Sequence, residues 1–127
     1  MPIISEETIK LLNNHLNEEH YSANLYFNMA GWCSKQGLKG CAAFLNNHSA
    51  EEHTHLEKLN EFIKKVDGQP IMGAMKEPEH SFSSVEEVFE KIVKHEQYIT
   101  SLIKKLVSKA MDDKDYITLK FLDWFVN

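Results

Sequence analysis

The chain has 127 residues, 43% of them hydrophobic, and a formal net charge of −5, which suits a single domain spanning residues 1–127 and excludes a disordered composition. Every basic residue is lysine, so a nucleic-acid partner is not expected, because base reading relies on arginine and a basic surface. No apolar run approaches the ~18 residues of a membrane helix, and we expect no membrane association. The start of the chain lacks the basic region of a secretory signal, and two cysteines are too few for a disulfide framework, so we expect a cytoplasmic protein.

The first predicted helix runs from about Ser5 to Ser34. Ser5 can cap it, and Glu6 and Glu7 suit the positive end of the helix dipole. Apolar residues recur at steps of three and four, the period of a helix with one buried face. This inward stripe reads Ile9, Leu12, Leu16, Glu19, Ala23, Tyr26, Ala30 and Cys33.

Two further long helices are predicted, from about Cys41 to Val66 and from about Ser84 to Ala110. Ser84 and Glu87 form a capping-box pattern at the start of the latter. The stripe of the second helix reads Cys41, Leu45, His48, Glu52, His55, Leu59, Phe62 and Val66. The stripe of the third reads Val85, Phe89, Ile92, Glu96, Ile99, Ile103, Leu106 and Ala110.

A fourth helix is predicted from about Asp115, with an inward stripe of Ile117, Phe121 and Trp124. It has about half the length of the others, and each large apolar side chain left exposed forfeits about 1.5–3 kcal/mol. We therefore expect this helix to be cut short at Asn127, either in a fragment or with its second half supplied elsewhere.

The linker of residues 67–83 decides the topology. A helix of 26 residues is about 39 Å long, and an extended linker of this size reaches about 55 Å. It can run the length of a bundle, which would make the second and third helices parallel. The sequence thus predicts an all-α four-helix bundle with one long crossover connection.

Carboxylates interrupt the apolar stripes near the middle of three helices. Glu19, Glu52 and Glu96 each occupy an inward position, and His55 follows Glu52 by three residues on the same helix face. Buried ionised carboxylates need a compensating charge, and no lysine lies on these stripes. A divalent cation would balance the charges of these carboxylates best, and carboxylates with one imidazole suit iron or manganese.

The alternative to a cation site is a polar core network, in which partly protonated carboxylates pair with His48 and His55. Tyr26 is either a core tyrosine or a donor beside the metals, and Glu51 is either a surface residue or a ligand of a further cation. The remaining histidines, His15 and His95 among them, lie off the stripes and are expected at the surface.

Several segments in this order and spacing resemble bacterial non-haem ferritin, and the resemblance covers the whole chain. The segments are residues 19–26 (EHYSANLY), 32–33 (WC), 40–45 (GCAAFL), 51–55 (EEHTH) and 121–126 (FLDWFV). The resemblance implies an iron-storage protein that assembles as a cage of 24 copies. It also implies a ferroxidase, an enzyme that oxidises Fe(II) with dioxygen or peroxide at a diiron centre.

The same resemblance assigns roles to individual residues. Glu19, Glu52 and His55 would hold one iron, Glu52 would bridge to a second iron held also by Glu96, and Tyr26 would stand beside the centre as an accessory residue. Glu51 would match one ligand of a third iron site. In the family a Glu/Gln-rich stretch follows the position of Asn127 and completes the second and third sites, so we do not expect full ferroxidase activity of a chain ending there.

Two other functional classes compete with iron storage. A haem-containing bacterioferritin would carry a second Glu-x-x-His motif in the fourth helix and could use His53 near a haem. A non-catalytic helical bundle, acting as a cage or interaction protein, would bind no stoichiometric Fe(II). A DNA-shielding mini-ferritin is disfavoured by the lack of arginine and of a basic tail.

Overall fold

A computed structural model describes residues 3–126 of the chain. These residues form four α-helices and contain no β-strand, which confirms the all-α prediction. The helices are α1 (Glu6–Lys35), α2 (Lys39–Lys65), α3 (Val85–Asp112) and α4 (Tyr116–Val126).

Serine side chains begin two of the long helices, as the sequence predicts. The Oγ atom of Ser5 accepts a hydrogen bond from the backbone N–H of Thr8 at 3.1 Å, and Ser84 accepts one from Glu87 at 3.1 Å. In a full capping box the Glu87 carboxylate would accept from the backbone N–H of Ser84. Here it accepts instead from the hydroxyl of Ser83 at 2.8 Å. Both caps fix where the helices start.

Contacts between helix ends establish the directions of α1, α2 and α3. The N–H of Ile3, just before α1, donates to the carbonyl of Val66, just after α2, at 2.9 Å. At the same end, the ammonium of Lys109 in α3 lies 2.8 Å from the Glu7 carboxylate in α1. Helices α2 and α3 are thus both antiparallel to α1 and parallel to each other, as the long crossover predicts.

The crossover segment between α2 and α3 is fastened to α1 by two asparagines. Asn13 donates to the carbonyl of Gln69 and accepts from the N–H of Ile71, at 3.0 and 2.8 Å. Asn17 does the same one turn later, with the carbonyl of Ile71 at 2.9 Å and the N–H of Gly73 at 2.7 Å. These bonds satisfy backbone groups of an irregular segment and hold it along the outside of the bundle.

The core consists of two apolar clusters with a polar layer between them. One cluster, near the α1 start, includes Leu12, Leu59 and Phe121; the other, near the α1 end, includes Met29, Leu45 and Val88. Glu19 and Glu52 are buried between these clusters. Two of the three carboxylates that interrupt the predicted stripes therefore lie inside the bundle, whereas Glu96 is only half-buried.

The predicted inward face of α4 is partly wrong. Ile117 and Trp124 are 49% and 57% exposed. The buried residues of α4 are Thr118, Phe121, Leu122 and Phe125. The helix is rotated so that Phe125 points into the core, where it contacts both His15 and His55.

Among residues 3–126, no helix is long and apolar enough to cross a bilayer.

Candidate metal centre

Glu19 is the most deeply buried carboxylate of the polar layer. It lies near the middle of α1 and is only 2% exposed. Its two oxygens face different histidines, with Oε1 at 3.2 Å from Nε2 of His15 and Oε2 at 3.0 Å from Nδ1 of His55. No lysine takes part in these pairs within the described part of the chain.

Helix α2 adds the second carboxylate, together with His55. Glu52 is 7% exposed, and its Oε2 lies 3.3 Å from Nδ1 of His55. The three-residue spacing places both side chains on the face of α2 that meets α1. Glu19, Glu52 and His55 each offer one ligand atom, and these atoms lie within 4.8 Å of one another. A cation replacing the proton on Nδ1 would meet two carboxylate oxygens and one ring nitrogen.

Hydrogen bonding and burial separate the pKa values of the three groups. Burial alone would raise the pKa of Glu19, but the contacts with His15 and His55 outweigh it and hold that pKa well below its usual range. The carboxylates of Glu19 and Glu52 raise the pKa of His55 to about 10. Burial, reinforced by the Glu19 charge, raises the pKa of Glu52 to about 8. The cluster therefore holds protons at neutral pH that a metal ion would have to displace.

Glu96, on α3, does not share in this cluster. Its Oε1 accepts a hydrogen bond of 2.5 Å from the hydroxyl of Tyr26. Tyr26 is fully buried in α1, and burial together with the Glu96 carboxylate raises its pKa far above the ordinary value, so the hydroxyl keeps its proton. The two sequence-predicted residues Tyr26 and Glu96 thus form a unit of their own beside the cluster.

The remaining sequence-predicted residues lie on either side of α2. Glu51 is exposed, as is His53, whereas His48 is half-buried with its ring centroid 5.3 Å from that of Tyr26. His48 thus contacts Tyr26, while Glu51 lies on the solvent side of the helix. The structure brings Glu19, Glu52 and His55 together, pairs Tyr26 with Glu96, and leaves Glu51 apart from both groups.

Three of the histidines expected at the surface are not exposed, namely His15, His20 and His95, and for them that expectation is wrong. His15 is fully buried, one turn before Glu19. His95 is half-buried, and its Nε2 lies 2.6 Å from the hydroxyl of Ser22. Helix α1 is enclosed on more than one side, so its buried face is wider than one stripe. The spacing of four residues between His15 and Glu19 was the signal that could have identified His15.

The donor set itself indicates the kind of ion that the cluster suits. Two carboxylates and one imidazole are hard and borderline ligands, which favour iron or manganese over metals that prefer thiolates. The two apolar clusters above and below limit water access to the buried carboxylates. A helical bundle with inward carboxylates and a Glu-x-x-His motif defines the class of ferritin-like carboxylate proteins.

Comparison with known proteins agrees with that class. Residues 9–127 match the family described as the ferritin-like domain. A probable bacterial non-heme ferritin-like protein of Haemophilus influenzae is 42% identical over 124 residues, which are 98% of this chain and 75% of that protein. The bacterial non-heme ferritin of Campylobacter jejuni is 42% identical over 125 residues, with the same coverage of 98% and 75%. The chain therefore belongs to the ferritin family.

Solved ferritin structures have the same architecture. The Chlorobium tepidum ferritin superposes with a TM-score of 0.93 at 36% identity, covering 97% of this chain and 75% of that one. An open-pore ferritin from the archaeon Archaeoglobus fulgidus superposes with a TM-score of 0.94 at 36% identity, covering 99% and 77%. These matches confirm the predicted ferritin-like bundle with one long crossover between α2 and α3.

Proposed function

We propose that this protein stores iron, and that it first binds Fe(II) inside the bundle and oxidises it there. The observation that carries the proposal is the cluster of the buried Glu19 and Glu52 with the half-buried His55, whose ligand atoms lie within 4.8 Å of one another. Membership of the ferritin family and the likeness to bacterial non-heme ferritins support iron as the ion. In this proposal Fe(II) is the substrate, and the ferric product is stored as mineral.

The proposed oxidation uses two ferrous ions at neighbouring positions. Glu19, Glu52 and His55 would hold the first ion, and Glu52 would also bridge to a second ion held by Glu96. Each Fe(II) gives up one electron, so two ions and two protons reduce one dioxygen to hydrogen peroxide, or one peroxide to two waters. Tyr26 donates a hydrogen bond from its hydroxyl to the Glu96 carboxylate and is the accessory residue of this site.

Glu51 has a weaker role in the proposal. Its carboxylate lies on the exposed side of α2, next in sequence to Glu52. We assign it to a third iron position outside the buried pair, where it would accept an ion that leaves or approaches the centre. Replacement of Glu51 is therefore expected to leave the first binding step unchanged.

Assembly as a 24-subunit cage is a further part of the proposal. Large apolar side chains are exposed on the helices, among them Phe27 at 66%, Phe44 at 50% and Val93 at 56%. Exposed apolar side chains of this size support burial against other subunits. A native mass spectrum is expected to show the cage, and a monomer at all concentrations would overturn this part.

Two free cysteines agree with a reducing, cytoplasmic location.

The test of the proposed function is the rate of Fe(II) oxidation in air-saturated buffer. The double variant E52A/H55A removes two of the three clustered ligands, and we expect the initial rate to fall to that of the buffer. The matched control H53A/E57A changes a histidine and a glutamate of the same helix that are both exposed, and it should oxidise Fe(II) at the unaltered rate. If E52A/H55A oxidises Fe(II) as fast as the control, the assignment is wrong.

A further inference from the structure

His15 is a fully buried histidine that the proposed function does not use. It lies in α1 one turn before Glu19, with 0% of its surface exposed. On one side the ring of Phe125, from α4, meets it edge-on with centroids 5.7 Å apart. Leucine would fill such a position at no polar cost, so a buried imidazole here calls for a reason beyond packing.

The ring nitrogens of His15 point to such a reason. Nε2 lies 3.2 Å from Oε1 of Glu19. In spite of this short distance, neither Nε2 nor Nδ1 forms a hydrogen bond among the described residues. Buried polar atoms are almost always satisfied in folded proteins. A small rotation of the Glu19 carboxylate would complete the bond to Nε2.

With such a bond, each of the two Glu19 oxygens would have a different partner. Oε1 faces His15, and Oε2 faces His55 at 3.0 Å within the three-residue cluster. His15 is not one of the three residues whose ligand atoms gather within 4.8 Å of one another. It therefore acts on the cation site through Glu19 and not as a direct ligand.

We propose that His15 is a positioning residue for ion binding, which holds Oε1 of Glu19 so that only Oε2 is presented to the ion. This inference rests on the proposed function of the cluster as a metal site. Outer-shell partners of this kind orient the ligands of metal sites and tune their affinity. Glu19 then binds in a monodentate manner, and Phe125 keeps the His15 ring from turning away.

The test measures binding of Zn(II), a redox-inert probe, by competition with a chelator. We compare the unaltered protein with H15L and H15Q, and subtract any binding that persists in E52A/H55A. Leucine removes the N–H donor, and loss of an outer-shell partner lowers metal affinity by about 10–100-fold. Glutamine restores a donor of similar reach, so H15Q should bind nearly as well as the unaltered protein.

The matched control is H20L, the same substitution at a half-buried histidine of the same helix. The His20 ring lies 3.3 Å from the side-chain amide of Asn24, and among the described residues it forms no hydrogen bond or ion pair with the Glu19 carboxylate. We expect H20L to bind Zn(II) with unchanged affinity. Unchanged affinity in H15L, or a loss in H15Q as large as that in H15L, would overturn the positioning role.

Two spectroscopic measurements test the role by other means. With Co(II) as the probe, H15L should show weaker visible absorption than the unaltered protein, because a released Glu19 becomes bidentate and raises the coordination number. In the Zn(II)-loaded protein, nitrogen NMR should show a proton on Nε2 of His15. That second measurement needs no variant, so it decides the question even if H15L does not fold, and an unprotonated or zinc-bound Nε2 would contradict the proposal.

Failure of this inference is distinguishable from failure of the proposed function. If the unaltered protein binds no more Zn(II) than E52A/H55A does, the cluster is not a metal site, and both proposals fall. If the unaltered protein binds Zn(II) and H15L binds it equally, the cluster stands and only the role of His15 falls.

Discussion

The two halves of the candidate centre are organised in opposite ways. Between α1 and α2, Glu19, Glu52 and His55 gather their ligand atoms within 4.8 Å of one another. Between α1 and α3, the carboxylate of Glu96 is held by the hydroxyl of Tyr26 at 2.5 Å. One half is a set of ligands converging on a point, and the other is a carboxylate already satisfied by a neutral donor.

This difference predicts an order of binding. A cation entering the α1–α2 half has to displace protons but need not move the ligands far, so that half is preorganised. A cation bound by Glu96 has to compete with the Tyr26 hydroxyl. We therefore expect the first ion to bind at Glu19, Glu52 and His55, and the second ion to bind more weakly beside Glu96.

The largest effect is expected from removing the Glu19 charge. E19Q keeps the shape of the side chain but removes the carboxylate that both histidines contact. The affinity for the first Zn(II) should fall by more than the roughly 100-fold upper range for an outer-shell partner. Isothermal titration calorimetry measures this directly.

The matched variant for that comparison is E96Q. It makes the same chemical change in the other half of the centre, and it should leave the first binding step within error of the unaltered protein while weakening the second. Equal losses of the first step in E19Q and E96Q would show that the two halves act as one site.

The second-largest effect is expected from a change of pH, which should alter the affinity for the ion. At neutral pH His55 is protonated because its pKa is raised to about 10, and Glu52 is mostly protonated because burial raises its pKa to about 8. Binding must release both protons, whereas Glu19 is already ionised. Affinity should therefore rise with pH, by up to about 100-fold per unit below pH 7.5.

Calorimetry in buffers with different ionisation enthalpies counts the protons released per Zn(II). The E52Q variant is the control, since it can release only the proton of His55. Release of no protons at pH 7 by the unaltered protein would contradict the protonation states that we assign to the cluster.

The stability of the protein without added metal should show a smaller effect. The pKa of Glu52 is raised from 4.5 to about 8 on folding, so between these pH values the unfolded chain ionises this group and the folded chain does not. The resulting penalty on folding grows through this range, persists above it and is absent below pH 4.5. E52Q should raise the free energy of unfolding at pH 7 by about 1–3 kcal/mol.

Urea unfolding at pH 7 and at pH 4 measures that change. The gain should be present at pH 7 and absent at pH 4, where Glu52 is protonated in both states. E90Q is the control, because Glu90 is exposed on α3. A gain of the same size at both pH values would mean that the amide stabilises the fold for another reason.

The smallest effect is expected from Y26F. Phenylalanine removes the hydroxyl that holds Glu96, so the carboxylate becomes free to bind the second ion. The affinity for that ion should rise by up to about tenfold, the equivalent of one hydrogen bond. Stepwise titration with Zn(II) measures it, and the first step should not change. A weaker second step in Y26F would mean that the hydroxyl organises Glu96 for binding.

Much of the fold follows from local sequence signals. Ser5 and Ser84 cap α1 and α3 as predicted, and the three-and-four spacing on α1 identifies Leu12, Glu19 and Tyr26 as buried. The length of the crossover was enough to predict parallel α2 and α3. These features depend on neighbours a few residues apart, which periodicity and capping rules describe well.

The residues whose burial was predicted wrongly are those whose environment depends on how the helices pack against one another. His15 is buried because Phe125 of α4 packs on it, and Trp124 is exposed because α4 is rotated relative to its predicted stripe. A helix as short as α4 carries few turns, so periodicity determines its orientation poorly. The bond between Tyr26 and Glu96 joins residues 70 positions apart, and no local pattern could have indicated it.

The most direct test of the central claim is a crystal structure of the protein soaked with Fe(II) without oxygen, with anomalous scattering recorded at the iron edge. The account predicts a strong peak between the carboxylates of Glu19 and Glu52 and the ring of His55, with any weaker peak near Glu96. Iron peaks only elsewhere on the protein, with none among Glu19, Glu52 and His55, would contradict it.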